Sequence, residues 1–264
     1  MGRHLGSGQG LSSAMTGSHW FEPIADHLGS AYLRYSFTKG TRQECDALVE
    51  MLHLKPGMRV LDVGCGPGRH ARALAERGLI VHGIDISETF IDLARHDAPA
   101  GATFERFDAR DLVDSAKFRS SFDAVICLCQ GAFGLMTVSD SGNSIDANTV
   151  IFRGMARALT DRGRLALSAF SSYFVVRAHA RDEFDAQFDA ASGVNHERTE
   201  VKSPTGEGIE VDLWTACYTP RELRLLCELE GLAVESLSSV EPGAYGREEP
   251  HVRSPEFLLV ARRM

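Results

Sequence analysis

The chain has 264 residues, 44% of them hydrophobic, and a formal net charge of −8. That length and apolar content support a sizeable core without disulfide or metal staples. The acidic balance offers no clustered Lys/Arg footprint for a phosphate backbone, so nucleic acid is not an expected partner, and no apolar run approaches the roughly 20 residues needed to cross a bilayer.

Residues 1–18 are rich in Gly and Ser, lack the apolar heart of a signal peptide, and read as a flexible tail or cloning remnant outside a single domain spanning 19–264. Residues 20–54 follow a helical pattern punctuated by Trp20, Phe21, Tyr32, Tyr35 and Phe37, and Lys55-Pro56-Gly57 stops it, giving a helical cap over 19–58. Short apolar runs then alternate with helical patterns. Strands are predicted at 59–63, 79–84, 103–107, 122–128 and 164–170, with helices at 69–77, 87–95 and 149–159. Such alternation marks βαβ units and a mostly parallel α/β sheet with helices on both faces.

The last third changes texture. Residues 177–189 alternate charges and read as a solvated helical face. Two alternating stretches, 196–202 and 208–218, flank Pro204-Thr205-Gly206 as a β-hairpin would, within an insertion over 171–218. Thr219-Pro220 and Glu222 spell a capping box for a helix ended by Gly231, and strands are expected at 233–240 and 256–261. The six cysteines have no paired CxxC spacing and read as reduced thiols of a cytoplasmic protein; Cys127 and Cys129 would share one face of a strand.

The chemistry concentrates in Val60-Leu61-Asp62-Val63-Gly64-Cys65-Gly66-Pro67-Gly68-Arg69-His70, a strand entering a glycine turn from which a helix departs. Glycines permit the bend and let a ligand approach the backbone. A dinucleotide-binding turn would read G-x-G-x-x-G, but Arg69 stands where its third glycine would be, and Pro67 removes an N–H that a pyrophosphate would want. Asp62 suits a cationic amino group near the turn. Asp85, ending the second strand about 20 residues on, can accept both ribose hydroxyls. Asp108, past the third strand, can accept an adenine amino group while the N–H of Ala109 meets a ring nitrogen.

With these residues the chain resembles the class I S-adenosyl-L-methionine (SAM)-dependent methyltransferase superfamily, well over 52–170 and moderately over the last helix and two strands. The resemblance implies a Rossmann-like seven-stranded sheet with an antiparallel last strand. It also implies cofactor contacts from Asp62, Gly64, Cys65, Gly66, Gly68, Asp85, Ile86, Asp108, Ala109 and Leu128. After the fourth strand comes Cys127-Leu128-Cys129-Gln130-Gly131, neither the Asn/Asp-Pro-Pro-aromatic of base-amino methyltransferases nor the Pro-Cys of cytosine-C5 enzymes. A small-molecule acceptor, methylated at O or N by a monomer or homodimer, is the expectation that remains. The rivals are a non-catalytic SAM-binding protein and an NAD(P)-dependent oxidoreductase.

Blander roles compete at single positions. Asp108 can simply cap a helical turn. Phe170, Tyr173, Phe174, Trp214 and Tyr218 can be core rather than pocket wall, and His19, His179 and His196 structural rather than basic. Asp140, Asn143 and Asp146 invite a metal reading, but their Ser- and Gly-rich surroundings lack a calcium-loop pattern and favour a loop leading into a helix cap.

Overall fold

A computed structural model describes residues 19–135, 147–181 and 186–264; the tail at 1–18 and the trio Asp140, Asn143 and Asp146 lie outside the described residues. The central strands are β1 (Arg59–Val63), β2 (Ile80–Asp85), β3 (Ala102–Arg106), β4 (Phe122–Cys127) and β5 (Leu159–Ser171), which pair in parallel in the order β3-β2-β1-β4-β5. Beyond β5 lies β11 (Glu256–Arg263), antiparallel both to β5 and to β9 (Leu232–Glu241). This is the seven-stranded mostly parallel sheet with one reversed strand that the resemblance implied.

The period-two alternation of the strands divides the core between the two faces of the sheet. Leu61, Val63, Val125 and Cys127 face helices α5 (Ala147–Ala158) and α7 (Pro220–Leu229). Val60, Ala124 and Ile126 face α2 (Thr41–Met51) and α3 (Arg69–Ala75), alongside α4 (Glu88–Arg95). Helices start where the side chains allow. Ser87 Oγ accepts the Phe90 N–H at 3.2 Å to cap α4, and the Thr219/Glu222 capping box opens α7. Gly231, at φ +68°, follows the end of α7 in the left-handed region that glycine enters freely.

Four expectations change. An extra strand, β10 (Ala244–Glu248), pairs antiparallel with β9 and lengthens the sheet edge. The charged stretch 177–189 is not one helical face. Helix α6 (Ser172–His179) ends early, and β6 (Ala186–Asp189) pairs with β7 (Val194–Lys202), because cross-strand partners override local helical patterning. Cys127 and Cys129 do not share a strand face. β4 stops at Cys127, and Cys129 and Gln130 both take left-handed φ, +52° and +51°. The helical pattern over 20–54 resolves into α1 (Phe21–Leu28), two 3₁₀ turns (Gly29–Arg34 and Ser36–Gly40) and α2.

β7 forms the predicted hairpin with β8 (Gly208–Tyr218), from Val194↔Ala216 to Lys202↔Gly208. The last residues of β8, Cys217 and Tyr218, pair with Phe170 and Ser171 at the end of β5. The hairpin therefore stands over the carboxyl edge of the sheet. The N-terminal segment packs beneath it. His27 Nε2 meets the Glu207 carbonyl at 3.0 Å, Arg34 donates to the Pro204 carbonyl at 3.1 Å, and Trp20 packs edge-on against Trp214 at 5.2 Å.

Candidate functional site

The glycine turn is clamped by the end of β2. The N–H groups of Gly64 and Cys65 both donate to the Ile84 carbonyl, at 2.8 and 2.9 Å. The Gly66 N–H donates to Asp85 Oδ2 at 2.8 Å, and the Ser87 N–H to Asp85 Oδ1 at 2.9 Å. Asp85 thus fixes the turn as well as facing the space above it. A carboxylate offers about four acceptor sites, so these bonds leave capacity for ligand hydroxyls. Gly64, Gly66 and Gly68 all have positive φ, +70°, +52° and +80°.

Across the turn runs the loop after β4. A Cβ at Gly131 would lie 2.2 Å from the Gly64 carbonyl oxygen, and one at Gly64 2.1 Å from the Gly131 carbonyl carbon. The two backbones touch, which only a glycine pair permits. The left-handed Cys129 and Gln130 hold this loop against the turn, helped by Ser168 Oγ, which accepts the Cys129 N–H at 2.8 Å. Strain of this kind gathers at ligand sites.

Above the turn lies a cavity of about 350 Å³ walled by Gly64, Gly66 and Asp85 below, Tyr32, Phe21 and Leu28 from the N-terminal segment, Cys129 to Gly131 at the side, and Glu197, Thr199, Leu213 and Thr215 from the hairpin. It continues into a narrow annex of about 20 Å³ bounded by His19, Ile86, Phe107, Asp108, Ala109 and Ala132, with Phe21, Gly64, Asp85, Gly131 and Leu135 common to both.

Of the ten sequence-derived cofactor residues, Gly64, Gly66, Asp85, Ile86, Asp108 and Ala109 wall this space. The other four lie behind it. Cys65 is buried with its Sγ against Gly83, and a Cβ on Gly68 would meet the Phe104 ring at 2.8 Å. Leu128 is buried in the core beside Ile126 and Ala166. Asp62 is 2% exposed beneath the turn, and its Oδ2 has no hydrogen-bond partner. Asp108 caps the 3₁₀ turn Ala109–Val113 by accepting the Arg110 N–H at 2.9 Å. The Arg110 guanidinium grips both its oxygens and, against the opposing effect of burial, holds its carboxyl below the usual range.

Burial pushes the Asp62 carboxyl up to about 7, opposed by Arg69 and reinforced by Asp85. Burial likewise raises Asp85 to about 6, against the pull of the Ser87, Gly66 and Ile86 amides. The site therefore stores two carboxyls that ionise near neutrality, one with an unsatisfied oxygen. A cationic ligand group fits that deficit.

Several residues in or beneath the cavity walls carry little signal in the sequence. Arg69, which in the sequence only stands where a dinucleotide turn would have glycine, is anchored from below: Nη1 donates to Glu44 Oε2 at 2.5 Å and Thr41 Oγ1 at 2.8 Å, while Nη2 reaches Cys129 Sγ at 2.9 Å. Gln130, Gly131 and Leu135 line the cavity from the irregular loop after β4, which has no periodic pattern of its own. Among the aromatic candidates, Phe170 lines the cavity, Tyr218 stacks on Phe133 in the core, and Tyr173 is 42% exposed elsewhere. His196 bonds Asp212 at 2.9 Å and stacks on Trp214, and His179 bonds Asn195 at 3.1 Å, so both have structural employment. Among the described residues no His/Cys/Asp/Glu group is arranged to hold a metal, and no helix is long and apolar enough to cross a membrane.

The chain is 39% identical over 72 residues to a ubiquinone biosynthesis O-methyltransferase of Coxiella burnetii, a match covering 27% of this chain and 31% of that one. The curated relatives it matches are spanned over less than half of their own length, from 31% to 49%. In fold, it superposes on the CcbJ methyltransferase of Streptomyces caelestis with a TM-score of 0.71 at 16% identity, covering 91% of this chain and 97% of that one. It superposes on SAM-bound CalS10, an amino pentose methyltransferase from Micromonospora echinaspora, with a TM-score of 0.57 at 19% identity, covering 89% and 96%. A family model described as a methyltransferase domain matches residues 54–216, and the chain belongs to that family.

Proposed function

We propose that this protein transfers the methyl group of SAM to an oxygen or nitrogen of a small molecule. The observation that carries this reading is the unpartnered Asp62 Oδ2 behind a ligand-accessible glycine turn whose far end carries Asp85. SAM has a cationic amino end, a ribose and an adenine, and no phosphate. Asp62 and the turn would hold the amino acid end, Asp85 the ribose, and Ile86, Asp108 and Ala109 the adenine. Arg69, whose Nη2 otherwise meets only a thiol, is suited to the carboxylate. The cofactor supplies an electrophilic methyl on a sulfonium. The chain's task is alignment and exclusion of water, for which effective molarities of ~10⁵–10⁸ M are available. The N-terminal segment and the hairpin would form the lid that does this. Net charge and the absence of any Lys or Arg among the described cavity walls favour a small acceptor over nucleic acid.

Calorimetric titration tests the reading. SAM is expected to bind at roughly micromolar levels and NAD(P) not at all. Asp85→Asn should weaken SAM roughly 10- to 100-fold, since hydrogen bonds to a charged group contribute about 1.5–3 kcal/mol. NAD(P) binding without SAM binding would overturn it. Mass spectrometry with methyl-labelled SAM then identifies the acceptor.

Binding should also depend on pH. A carboxyl raised in the folded state contributes stability below its ordinary value near 3.9 and loses it as pH rises through the raised one, here about 7 for Asp62. A cationic ligand favours the ionised form, so its affinity climbs over that same rise. SAM affinity should increase roughly tenfold from pH 6 to 7.5, with about one proton released per SAM bound near pH 6.5. Titrations in two buffers of different ionisation enthalpy read that proton, and it should vanish in Asp62→Asn.

A further inference from the structure

We infer that the acceptor is a cationic amine, seated by the carboxylate of Glu197; this rests on the methyltransferase reading of the same cavity. The wall facing the glycine turn comes from β7 and β8 and offers Glu197, Thr199, Leu213 and Thr215. Glu197 is half-buried there, and its carboxylate makes no hydrogen bond or ion pair with any described residue. The other acids of the cavity are engaged: Asp85 by the Gly66 and Ser87 amides, and Glu200, at the rim, by Lys202 at 3.2 Å. Among the described residues no Lys, Arg or His lines the main cavity, and His19 borders only the annex. A carboxylate or phosphate acceptor would meet acids with no counter-charge, whereas an ammonium would supply the partner that Glu197 lacks.

The aromatic wall points the same way independently. Tyr32, Tyr35 and Phe37 form a contiguous cluster lining the cavity, with Tyr32 and Phe37 5.4 Å apart edge-on and Tyr35 and Phe37 5.8 Å apart and stacked. Ring faces attract cations through their quadrupole, adding ~0.5–2 kcal/mol each where water is excluded. An alkylammonium gives up a proton to solvent and becomes the free amine. The nitrogen lone pair then forms the N–C bond as the S–C bond breaks, and that bonding pair stays on sulfur as a neutral thioether. The product is again an ammonium, so Glu197 faces positive charge before and after transfer. Glu197 is a specificity-determining residue in this scheme, not a base.

The test uses the full chain saturated with S-adenosylhomocysteine, titrated calorimetrically with benzyltrimethylammonium, benzyl alcohol and phenylacetate. The cation cannot be methylated, so binding is read alone. It is expected to bind at least tenfold more tightly than the neutral or anionic probe. Glu197→Gln should weaken it about tenfold, Glu197→Asp should retain most of the affinity, and S-adenosylhomocysteine affinity should be unchanged in both, which certifies the folded site. Equal binding of the three probes, no binding of the cation, or an unaltered cation affinity in Glu197→Gln overturns the inference while leaving the methyltransferase reading intact. Failure of S-adenosylhomocysteine itself to bind overturns the underlying reading and the inference with it.

Discussion

Gly131→Ala should abolish SAM binding at accessible concentrations, a loss on the order of 100-fold or more, while the protein still folds. The new methyl would sit 2.2 Å from the Gly64 carbonyl oxygen, and 2.9 Å from its carbonyl carbon. Overpacking generally costs ~1–3 kcal/mol when side chains can yield. Here the obstacle is backbone, and that backbone is the turn meant to meet the cofactor. Gly64 cannot retreat, because its N–H is tied to the Ile84 carbonyl at 2.8 Å and the neighbouring Gly66 N–H to Asp85. Relief must come from lifting the loop of Cys129 and Gln130 into the cavity or from opening the turn, and either spoils the site. Gly57→Ala is the control. Its φ is positive, +86°, which Gly131 does not have, but a Cβ there meets nothing within 4 Å, so it should cost about 1 kcal/mol of stability and leave SAM affinity unaltered. Calorimetry with SAM and thermal melts of the two variants check both halves. Near-wild-type affinity in Gly131→Ala would show that the two loops do not need to touch.

That contact also marks where the sequence stops being legible. The glycine turn, the β1 to β4 boundaries and the capping of α4 and α7 could be read because each is set by local pattern: two-face burial in a parallel strand, or a side chain reaching an amide three residues on. Asp85 could be placed because a strand end fixes its position. β6 and β10 could not, since each exists through its partner, β7 in one case and β9 in the other. β10 is further tied to α2 by Gln43, whose amide exchanges two hydrogen bonds with the Tyr245 backbone at 2.7 and 2.8 Å, some 200 residues away in the chain. The cavity's far wall was equally hidden. Nothing local distinguishes Glu197 from other alternating strand acids until the hairpin is stood over the sheet. Leu128 and Gly68 hold motif positions that imply cofactor contact, and their environment in the fold is core packing. Residues near a motif and residues facing a ligand are different sets, and only the tertiary path separates them.

Glu44→Ala should be the most destabilising single change near the site, by about 3–5 kcal/mol, the usual cost of leaving a buried charge without its partner. Glu44 is fully buried in α2. Its Oε2 accepts from Arg69 at 2.5 Å and from His70 Nε2 at 2.7 Å, and its Oε1 accepts the Gly243 N–H at 2.8 Å. Burial alone would raise its carboxyl, but the bonds and charges of His70 and Arg69 outweigh that and hold it at about 2. One side chain thus joins the N-terminal segment, the helix leaving the glycine turn and the β9–β10 turn. Without it, Arg69 keeps only Thr41 and Cys129, and its side chain is just 8% exposed to water. At about 2–4 °C per kcal/mol for a domain of this size, the midpoint of thermal unfolding should fall on the order of 10 °C. Because Arg69 opens α3 directly after Gly68, its release should also loosen the turn and weaken SAM. The wild-type protein carries a related acid sensitivity. Burial lowers His70 to about 4, only partly countered by Glu44, so its contribution to stability is present above the ordinary histidine value near 6.5 and is lost as pH falls toward 4. Glu44's own contribution persists to lower pH and is lost only as pH drops through about 2. Urea unfolding of wild type and Glu44→Ala at pH 7.5 measures the first effect, and the wild type repeated at pH 5 measures the second. A destabilisation below about 1 kcal/mol in Glu44→Ala would mean that water reaches Arg69 and that the three-way joint is not what holds the turn in place.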